Sequence, residues 1–502
     1  MVEQQQFVQL ERFDVSSEAV RRLPVEFCLE KHAVVLKDSK TDEPVTVGML
    51  HPDSRVLVEE ISKKIGQPVK AVQINAFQLK KALSRGYEIT DLELEKVPML
   101  AVDSECGIEF DEPQTPTKIL RDLLAEAVRM KASDIHIETH SYDMELRFRI
   151  DGVLHNLSSP LSLENINRVI SKLKVMSDLD IAGHRRAQDG HFSFSYLTSG
   201  TSRRIDARLN IIPGPYGEEA AIRLLDAEQF ILDFEQLGFN EQQLELYKNL
   251  ISTPGGMILV VGPSGSGKTT TLYCSVVSLK DEEKKIITAE DPIEYEFENI
   301  SQKQITKAMD FSDYTRAFLR QDPDIILIGE IRDRETTNNC IRAANTGHLV
   351  LSTLHTGNAV MAISRLRSLG AENDYLAEVL NGVVSQRLVR ILCDNCKQEI
   401  EPDSELIKRF YTEKPEHKFY GPGGCEKCQN RGYRGRTGVF EILIVDREIK
   451  KMIASNAPTQ QIHNYVAGAD FQFIHHHALD KVARGITSLA EVNRVIMPPY
   501  LF

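Results

Sequence analysis

The sequence has no apolar run of the length that a membrane-spanning helix needs. Such a helix takes about 20 consecutive apolar residues, whereas the longest candidate, residues 257–261, has the size of a strand. The first residues, MVEQQQFVQLERF, also lack the basic start and apolar core of a signal peptide. We therefore expect a cytoplasmic protein that reaches a membrane only through a partner.

The sequence also lacks an excess of basic residues, a low-complexity tract and an internal repeat. Its 73 acidic side chains outnumber its 60 basic ones, which gives a net charge of −13. Phosphate backbones select basic surfaces, so we expect no nucleic-acid partner, although a local basic channel could exist within the acidic whole. Eight cysteines in a cytoplasmic chain are not expected to form disulfides. Four of them are scattered and are expected to be small buried residues: Cys28, Cys106, Cys274 and Cys340.

The length of 502 residues is too great for one hydrophobic core and predicts about three domains. Residues 1–102 mix short strands and amphipathic helices and favour a small interaction domain. Residues 103–116 are acidic, contain two prolines and are typical of a linker. Residues 117–229 predict an α+β domain. From 230 to 502, strands and helices alternate, which predicts a parallel sheet with helices on both faces.

A phosphate-binding loop is the strongest signal in the sequence. GPSGSGKT at residues 262–269 matches G-x-x-x-x-G-K-[ST] at every fixed position, between an apolar strand at 257–261 and a predicted helix at 270–279. Glycines let backbone N–H groups face phosphates, and a helix N-terminus favours an anion. Lys268 would pair with the β- and γ-phosphates of ATP, and the Thr269 hydroxyl would hold Mg²⁺. The predicted nucleotide-binding residues of this loop are Gly262, Pro263, Ser264, Gly265, Ser266, Gly267, Lys268, Thr269 and Thr270.

Two further apolar strands each lead into an acidic residue. The strand at 325–329 leads into Glu330, which would contact Mg²⁺ through a water, since this acid is Glu rather than the usual Asp. The strand at 286–289 leads into Glu290, at the edge where open α/β sheets bind ligands. We expect Glu290 to orient the attacking water; a solvated loop carboxylate is the alternative for a lone Glu. His355 ends a third strand and is a candidate sensor of the γ-phosphate.

Together these segments resemble the secretion ATPase superfamily, which comprises motors of type II secretion and of type IV pilus assembly and retraction. Four boxes stand in the family's order: the Walker A loop, ITAEDPIEYEF at 287–297, LRQDPDIILIGEIRD at 319–333 and TGHLVLSTLHT at 346–356. The resemblance covers residues 117–495. It implies a multidomain α/β and α+β protein, with a RecA-like P-loop NTPase domain after a PAS-like α+β domain. By this resemblance, Glu290 is the catalytic glutamate and Glu330 is the Walker B acid.

The resemblance also implies that arginines reach the nucleotide. The family supplies them from its second domain, and the matching positions are Arg208 in DARLNIIP and Arg223 in AIRLLD. Arg316 and Arg320 lie four apart on one presumed helix, and Arg332 follows the Walker B strand. Some of these side chains are expected to contact a phosphate in their own subunit or across a ring interface. For Arg316 and Arg320, solvated arginines one helical turn apart are the alternative.

The remaining four cysteines form two pairs with metal-ligand spacing. Cys393 and Cys396, and then Cys425 and Cys428, give a C-x₂-C…C-x₂-C pattern within residues 390–438. Two such pairs can close a tetrahedral structural zinc site. The segment GYRGRTG after the second pair resembles that of the secretion ATPases that carry this insert. Redox CxxC motifs or plain thiols are the alternatives.

The resemblance implies a ring-forming ATPase, expected to be a hexamer, that converts ATP hydrolysis into movement. The paired cysteines disfavour the retraction branch, and the chain length favours type II secretion over pilus assembly. The expected protein is peripheral to the inner membrane, docks through its N-terminal domain on platform proteins and powers pseudopilus assembly and export across the outer membrane. The alternatives are a pilus-assembly or DNA-uptake motor and, less favoured, a nucleotide-gated scaffold with little turnover.

Overall fold

The structure is a computed structural model that describes most of the chain. The described residues are 15–37, 44–49, 52, 55–74, 76–87, 100–103, 115–158, 161–198, 201–226, 233–469 and 471–498. Most of the predicted linker at 103–116 lies outside them, as does Cys106. By its internal contacts the chain divides into two units, Met1–Glu228 and Gln229–Phe502. None of the helices in the described ranges is both long and apolar enough to cross a membrane.

The first unit begins with a small sheet and its helices. The strands lie in the order β1 (Ala33–Lys37), β2 (Val45–Met49) and β3 (Val69–Gln73), with an antiparallel and then a parallel pair. The helices are α1 (Ser17–Val20), α2 (Val25–Lys31), α3 (Arg55–Ile65) and α4 (Ala76–Gly86). Four successive side chains of β1, from Ala33 to Leu36, are buried, so both faces of this strand are covered.

A second, larger sheet completes the first unit. Its strands are β4 (Leu100–Asp103), β5 (Ala132–Thr139), β6 (Met144–Ile150), β7 (Val153–Leu157), β8 (Gln188–Thr198), β9 (Thr201–Gly214) and β10 (Gly217–Leu225), in the order β4-β8-β9-β10-β5-β6-β7. All neighbours are antiparallel except β4 and β8. Alternate residues such as Ile135 and Ile137 are buried in one core with α5 (Pro116–Arg129) and α6 (Ile166–Met176). This is the predicted α+β arrangement, with one polar sheet face.

The second unit is built on a mixed sheet. Its strands are β11 (Gly256–Val261), β12 (Ile286–Glu290), β13 (Ser301–Gln304), β14 (Ile325–Ile328), β15 (Leu349–Leu354), β16 (Leu380–Leu392) and β19 (Tyr433–Ile444), in the order β13-β12-β14-β15-β11-β16-β19. Every pair is parallel except β16 and β19, an antiparallel pair that the alternating pattern does not predict. Two short strands, β17 (Gln398–Ile400) and β18 (Phe419–Gly421), pair separately.

Helices cover both faces of this sheet. They are α7 (Phe234–Leu237), α8 (Glu241–Ile251), α9 (Lys268–Leu279), α10 (Phe311–Phe318), α11 (Arg334–Asn345), α12 (Ala359–Ser368), α13 (Asn373–Val379), α14 (Ser404–Phe410), α15 (Arg447–Ala454), α16 (Thr459–Ala467), α17 (Ile474–Ala483) and α18 (Leu489–Val495). Leu259 belongs to one buried apolar cluster, and its neighbours Ile258 and Val260 belong to another. Since successive strand residues point to opposite faces, the sheet separates two cores.

One buried carboxylate joins two of these helices to strand β19. Glu441 is 2% exposed, and its two oxygens accept hydrogen bonds from the backbone N–H groups of Ala359 at 2.7 Å and Ile474 at 3.0 Å. Both donors are first residues of helices, where the helix dipole favours a negative charge. Burial raises the pKa of Glu441, and these two hydrogen bonds act in the opposite direction without cancelling it.

We predict that Glu441→Gln destabilises the second unit. Whichever way the amide is turned, its nitrogen faces one backbone N–H, and a buried unsatisfied donor costs about 1–3 kcal/mol. For a unit of this size, the midpoint of thermal unfolding should fall by about 2–4 °C per kcal/mol. The control is Glu448→Gln, which removes an exposed pair with Lys451. Equal midpoints for Glu441→Gln and this control would contradict the prediction.

Candidate functional site

The predicted phosphate-binding loop connects β11 to α9. The helix begins at Lys268, two residues before the predicted helix. Gly265 and Gly267 have φ values of 74° and 87°, in the left-handed region that favours glycine. A Cβ atom at Gly267 would also lie 2.8 Å from Nε2 of Gln386. The backbone shape of this loop therefore favours glycine at both positions, of which Gly267 is a fixed position of the motif.

Lys268 is held against the carbonyl groups of its own loop. Its Nζ donates hydrogen bonds to the oxygens of Gly262 and Pro263, at 3.0 Å each. Burial lowers the pKa of Lys268 to about 8, while the nearby Glu330 acts in the opposite direction. An ammonium group held by neutral carbonyls can exchange them for phosphate oxygens, which form stronger, charge-assisted hydrogen bonds.

A cavity of about 210 Å³ lies beside this loop. The predicted site residues that line it are Ser264, Gly265, Lys268, Thr269, Glu290, Glu330 and His355. They come from the loop after β11 and from the carboxyl ends of β12, β14 and β15, which meet at one edge because these strands are parallel. The other predicted loop residues do not line it: Gly262, Pro263, Ser266, Gly267 and Thr270. The structure thus places Lys268 with both predicted carboxylates.

Glu290 is a buried carboxylate and not the solvated one of the alternative hypothesis. It is 3% exposed. Its oxygens accept hydrogen bonds from the side chains of Tyr273, Thr288 and Gln302. Sequence reasoning missed all three donors. The Tyr and Thr lie at ordinary helix and strand positions, and the Gln is on the edge strand β13, so only the tertiary contacts identify them.

Glu330 forms an ion-pair network at the mouth of the cavity. It pairs with Arg332 and lies 3.3 Å from Nε2 of His355. Arg332 also lies 3.7 Å from Asp291, and its hydrogen bond with Glu330 raises the pKa of Arg332. The Thr269 hydroxyl and the Glu330 carboxylate both line the cavity, and oxygen donors of this kind suit Mg²⁺.

Arg316 and Arg320 do not share a helix, contrary to the prediction. Helix α10 ends at Phe318, and Pro323 follows shortly after; proline disfavours helical backbone at the residue before it. Arg316 pairs with Asp313 at 2.7 Å, and none of Arg316, Arg320 and Arg332 lines the described cavity. Arg332 is linked to the cavity through its ion pair with Glu330, whereas Arg316 and Arg320 are not among the residues that line it.

Arg208 and Arg223 lie in the first unit. They are directly opposite each other on the paired strands β9 and β10, and both side chains are exposed. Arg223 donates a hydrogen bond to Asp134 at 3.0 Å. The two arginines therefore lie side by side on the polar face of the sheet.

The paired cysteines form one cluster in the second unit. The four sulfur atoms lie within 4.8 Å of one another, and three of the separations are 3.9 Å (Cys393 to Cys425), 3.7 Å (Cys396 to Cys428) and 3.7 Å (Cys425 to Cys428). A tetrahedron with Zn–S bonds of about 2.3 Å has edges of about 3.8 Å. The backbone N–H of Cys428 lowers the pKa of Cys425 to about 6, whereas desolvation and the neighbouring thiols raise the pKa of Cys396 to about 12. A bound metal ion lowers the pKa of its thiol ligands. The cluster fits a zinc ion.

Comparison with known proteins identifies two family segments. The family model described as Type II/IV secretion system protein matches residues 110–494, and the MshEN domain model matches residues 4–91. A type II secretion system ATPase E from Vibrio cholerae serotype O1 is 38% identical over 495 residues, which cover 95% of this chain and 97% of the relative. A type IV pilus assembly ATPase PilB from Acinetobacter baylyi is 39% identical over 81% of this chain and 71% of its own length.

A solved structure gives a further likeness. The crystal structure of the pilus retraction motor PilT with bound ADP is 27% identical, with a TM-score of 0.50, and the match covers 78% of this chain and 99% of that one. The resemblance inferred from the motifs is confirmed, as is the expected fold of a P-loop ATPase core preceded by an N-terminal domain. The chain belongs to the type II/IV secretion system protein family, and it is an ATPase.

Proposed function

We propose that ATP is hydrolysed at the cavity beside the β11–α9 loop. The observation that carries this proposal is that Lys268, Glu290 and Glu330 line one cavity at the edge of the parallel sheet. Lys268 would leave the carbonyls of its loop for the β- and γ-phosphate oxygens. The Thr269 hydroxyl and Glu330 would hold Mg²⁺, which when bound neutralises charge on the phosphate oxygens.

Glu290 is the residue that orients the attacking water in this proposal. The water oxygen forms a bond to the γ-phosphorus as the bond to the bridging oxygen breaks, and ADP keeps that electron pair. The water proton passes to the Glu290 carboxylate. His355 and Arg332 both contact Glu330, so a γ-phosphate that attracts either of them changes the Glu330 pairing. This geometry supports His355 as a sensor of that phosphate.

A ring of subunits is the second part of the proposal. Arg208 and Arg223 are exposed side by side, and that arrangement suits a pair of cations offered to a phosphate group. We propose that they act on ATP in the same subunit or a neighbouring one. Arg316 and Arg320 are proposed to lie at the ring interface, where Arg316 would exchange its pairing with Asp313 for a phosphate, as Arg223 would exchange Asp134. A hexamer is the expected assembly.

We infer that the motor belongs to a type II secretion system and powers pseudopilus assembly and protein export. The support is that the relatives with a type II secretion name are 38–42% identical to this chain, against 35–39% for the pilus assembly ATPases. The protein would act on the cytoplasmic side, peripheral to the inner membrane, with its N-terminal domain on a platform protein. Pilus assembly is the second candidate, favoured by the 39% identity to PilB.

The cysteine cluster is proposed to hold one structural zinc ion. Four thiolates leave no open coordination position, so the metal would stabilise its segment and take no part in the reaction. The ion would hold together the two ends of the long segment that connects β16 to β19. Zinc binding of this kind contributes about 10–16 kcal/mol to folding in small zinc domains.

We predict that Glu290→Gln lowers kcat for ATP hydrolysis by about 100-fold or more, because losing a general base costs about 10²–10⁴ in rate. Binding of ATP should remain, since Lys268 and the loop are unchanged. Phosphate release and nucleotide binding by the full chain are the measurements. The matched control is Glu298→Gln, an exposed glutamate of the same segment. Wild-type turnover in Glu290→Gln would remove Glu290 from its proposed role.

Purified protein is predicted to contain one zinc ion per chain. Elemental analysis should find about one equivalent, and Cys396→Ser should lose most of it because three thiolates no longer close the tetrahedron. Cys340→Ala, which removes a buried thiol outside the cluster, serves as the control and should keep the metal. Protein that folds and carries well under one equivalent of zinc would count against the proposed site.

The two candidate functions, type II secretion and pilus assembly, predict different membrane partners. Affinity purification of the full chain from detergent-solubilised membranes of its own cell should recover a platform protein of a type II secretion system. Loss of this partner on deletion of residues 1–91, which leaves strand β4 of the second sheet in place, would support docking through the N-terminal domain. Recovery of a pilus platform protein instead would favour the second candidate.

A further inference from the structure

Glu290 is held by side chains from three different elements. Its Oε1 accepts hydrogen bonds from Thr288 Oγ1 at 2.5 Å and from Gln302 Nε2 at 3.1 Å, and its Oε2 accepts one from the Tyr273 hydroxyl. The donors belong to β12, β13 and α9. Contacts on both oxygens fix the rotation of the carboxyl group as well as its position.

The donors leave one acceptor position on Glu290 without a described partner. An ionised carboxylate has about four such positions, two on each oxygen. Within the described part of the chain, two donors occupy Oε1 and one occupies Oε2. Glu290 is 3% exposed yet lines the cavity, so a water can reach the remaining position on Oε2 from that side. That water would lie next to the Tyr273 hydroxyl.

The proton of Tyr273 is directed at Glu290 by the surroundings of the tyrosine. The backbone N–H of Glu294 donates a hydrogen bond to Tyr273 Oη at 3.1 Å, which uses the oxygen as an acceptor. The ring is 1% exposed and packs edge-on against Phe297, with centroids 5.0 Å apart. Burial and then the charge of Glu290 raise the pKa of Tyr273, so its hydroxyl remains a donor.

Tyr273 also connects two parts of the site that the sheet holds apart, namely the phosphate-binding helix α9 after β11 and Glu290 on β12. Strands β14 and β15 separate β11 from β12, which puts these two strands about 14 Å apart at about 4.8 Å per pair. Helix α9 begins at Lys268 and carries Tyr273 a little more than one turn later. The helix that starts at the phosphate-binding lysine therefore also supplies a donor to the carboxylate of β12.

We propose that Tyr273 is a positioning residue for hydrolysis, which aims the open position of Glu290 Oε2 at the attacking water. Thr288 and Gln302 complete the set of donors that hold the carboxylate. The proposal rests on the proposed role of Glu290 and adds the residue that links the phosphate-binding helix to it. Because the hydroxyl is engaged by Glu290 and Glu294, its loss should affect turnover and not the binding of ATP.

The test is single-turnover hydrolysis of γ-³²P-labelled ATP by the full chain, which resolves slow variants. Tyr273→Phe and Thr288→Val each remove one donor and keep the shape of the side chain. Each should lower the rate by about tenfold, which corresponds to about 1.4 kcal/mol in the barrier. The concentration of ATP at half-saturation should change by less than about twofold, because only the transition state is affected.

The decisive measurement is the double variant with Glu290→Gln. If the hydroxyl acts through the carboxylate, Tyr273→Phe should lower the rate about tenfold in the wild-type background and have almost no effect in Glu290→Gln. The matched control is Tyr247→Phe. Tyr247 is a fully buried tyrosine of α8 whose hydroxyl contacts Ser275 of α9, and it does not line the cavity. This control should keep the wild-type rate.

Three results would overturn the proposal. They are a wild-type rate in Tyr273→Phe, an equal loss in Tyr247→Phe, and a tenfold loss that persists in the Glu290→Gln background. A wild-type rate in Glu290→Gln alone would instead refute the proposed function of Glu290. That failure is recognised before any tyrosine variant is measured.

Discussion

Backbone hydrogen bonds between parallel strands hold the functional edge of the second unit in place. Strand β14 pairs with β12 and β15, and β15 pairs with β11, so four carboxyl ends meet at one edge. A shift of one residue in any of these pairs would turn Glu290 or the approach to Glu330 towards the opposite face. Strands β11 and β15 are buried along their whole length, so neither has a solvent-facing side.

Charged groups at and near this edge are buried only where hydrogen bonds satisfy them. Glu290 has three side-chain donors, Glu441 has two helix N-termini, and Lys268 has two carbonyls of its own loop. A buried charge without such partners would cost several kcal/mol. The same contacts that make burial tolerable also fix the direction of each group, which a site for phosphate chemistry needs.

The cysteine cluster follows from the antiparallel pair that departs from the rest of the sheet. Cys393 comes directly after β16, and Cys428 lies shortly before β19, whose first residue Tyr433 pairs with Leu392. The hairpin therefore brings the two cysteine pairs together at its end. The same region is tied to the C-terminal helix α18, because Arg390 on β16 forms an ion pair with the buried Glu491 at 2.7 Å. Zinc would thus join the two ends of the segment between β16 and β19, next to helix α18.

The sequence by itself determined the local chemistry of this protein. The glycines of the loop, Lys268, the acids after two apolar strands and the paired cysteines are readable because each rests on a short pattern with a direct physical reason. Only the tertiary structure decided which residues hold Glu290, since Tyr273 and Gln302 are far from it along the chain and their partner is set by strand order. It also made β19 antiparallel, because periodicity does not encode strand direction, whereas the end of helix α10 before Arg320 has a signal in the sequence, since Pro323 follows shortly after.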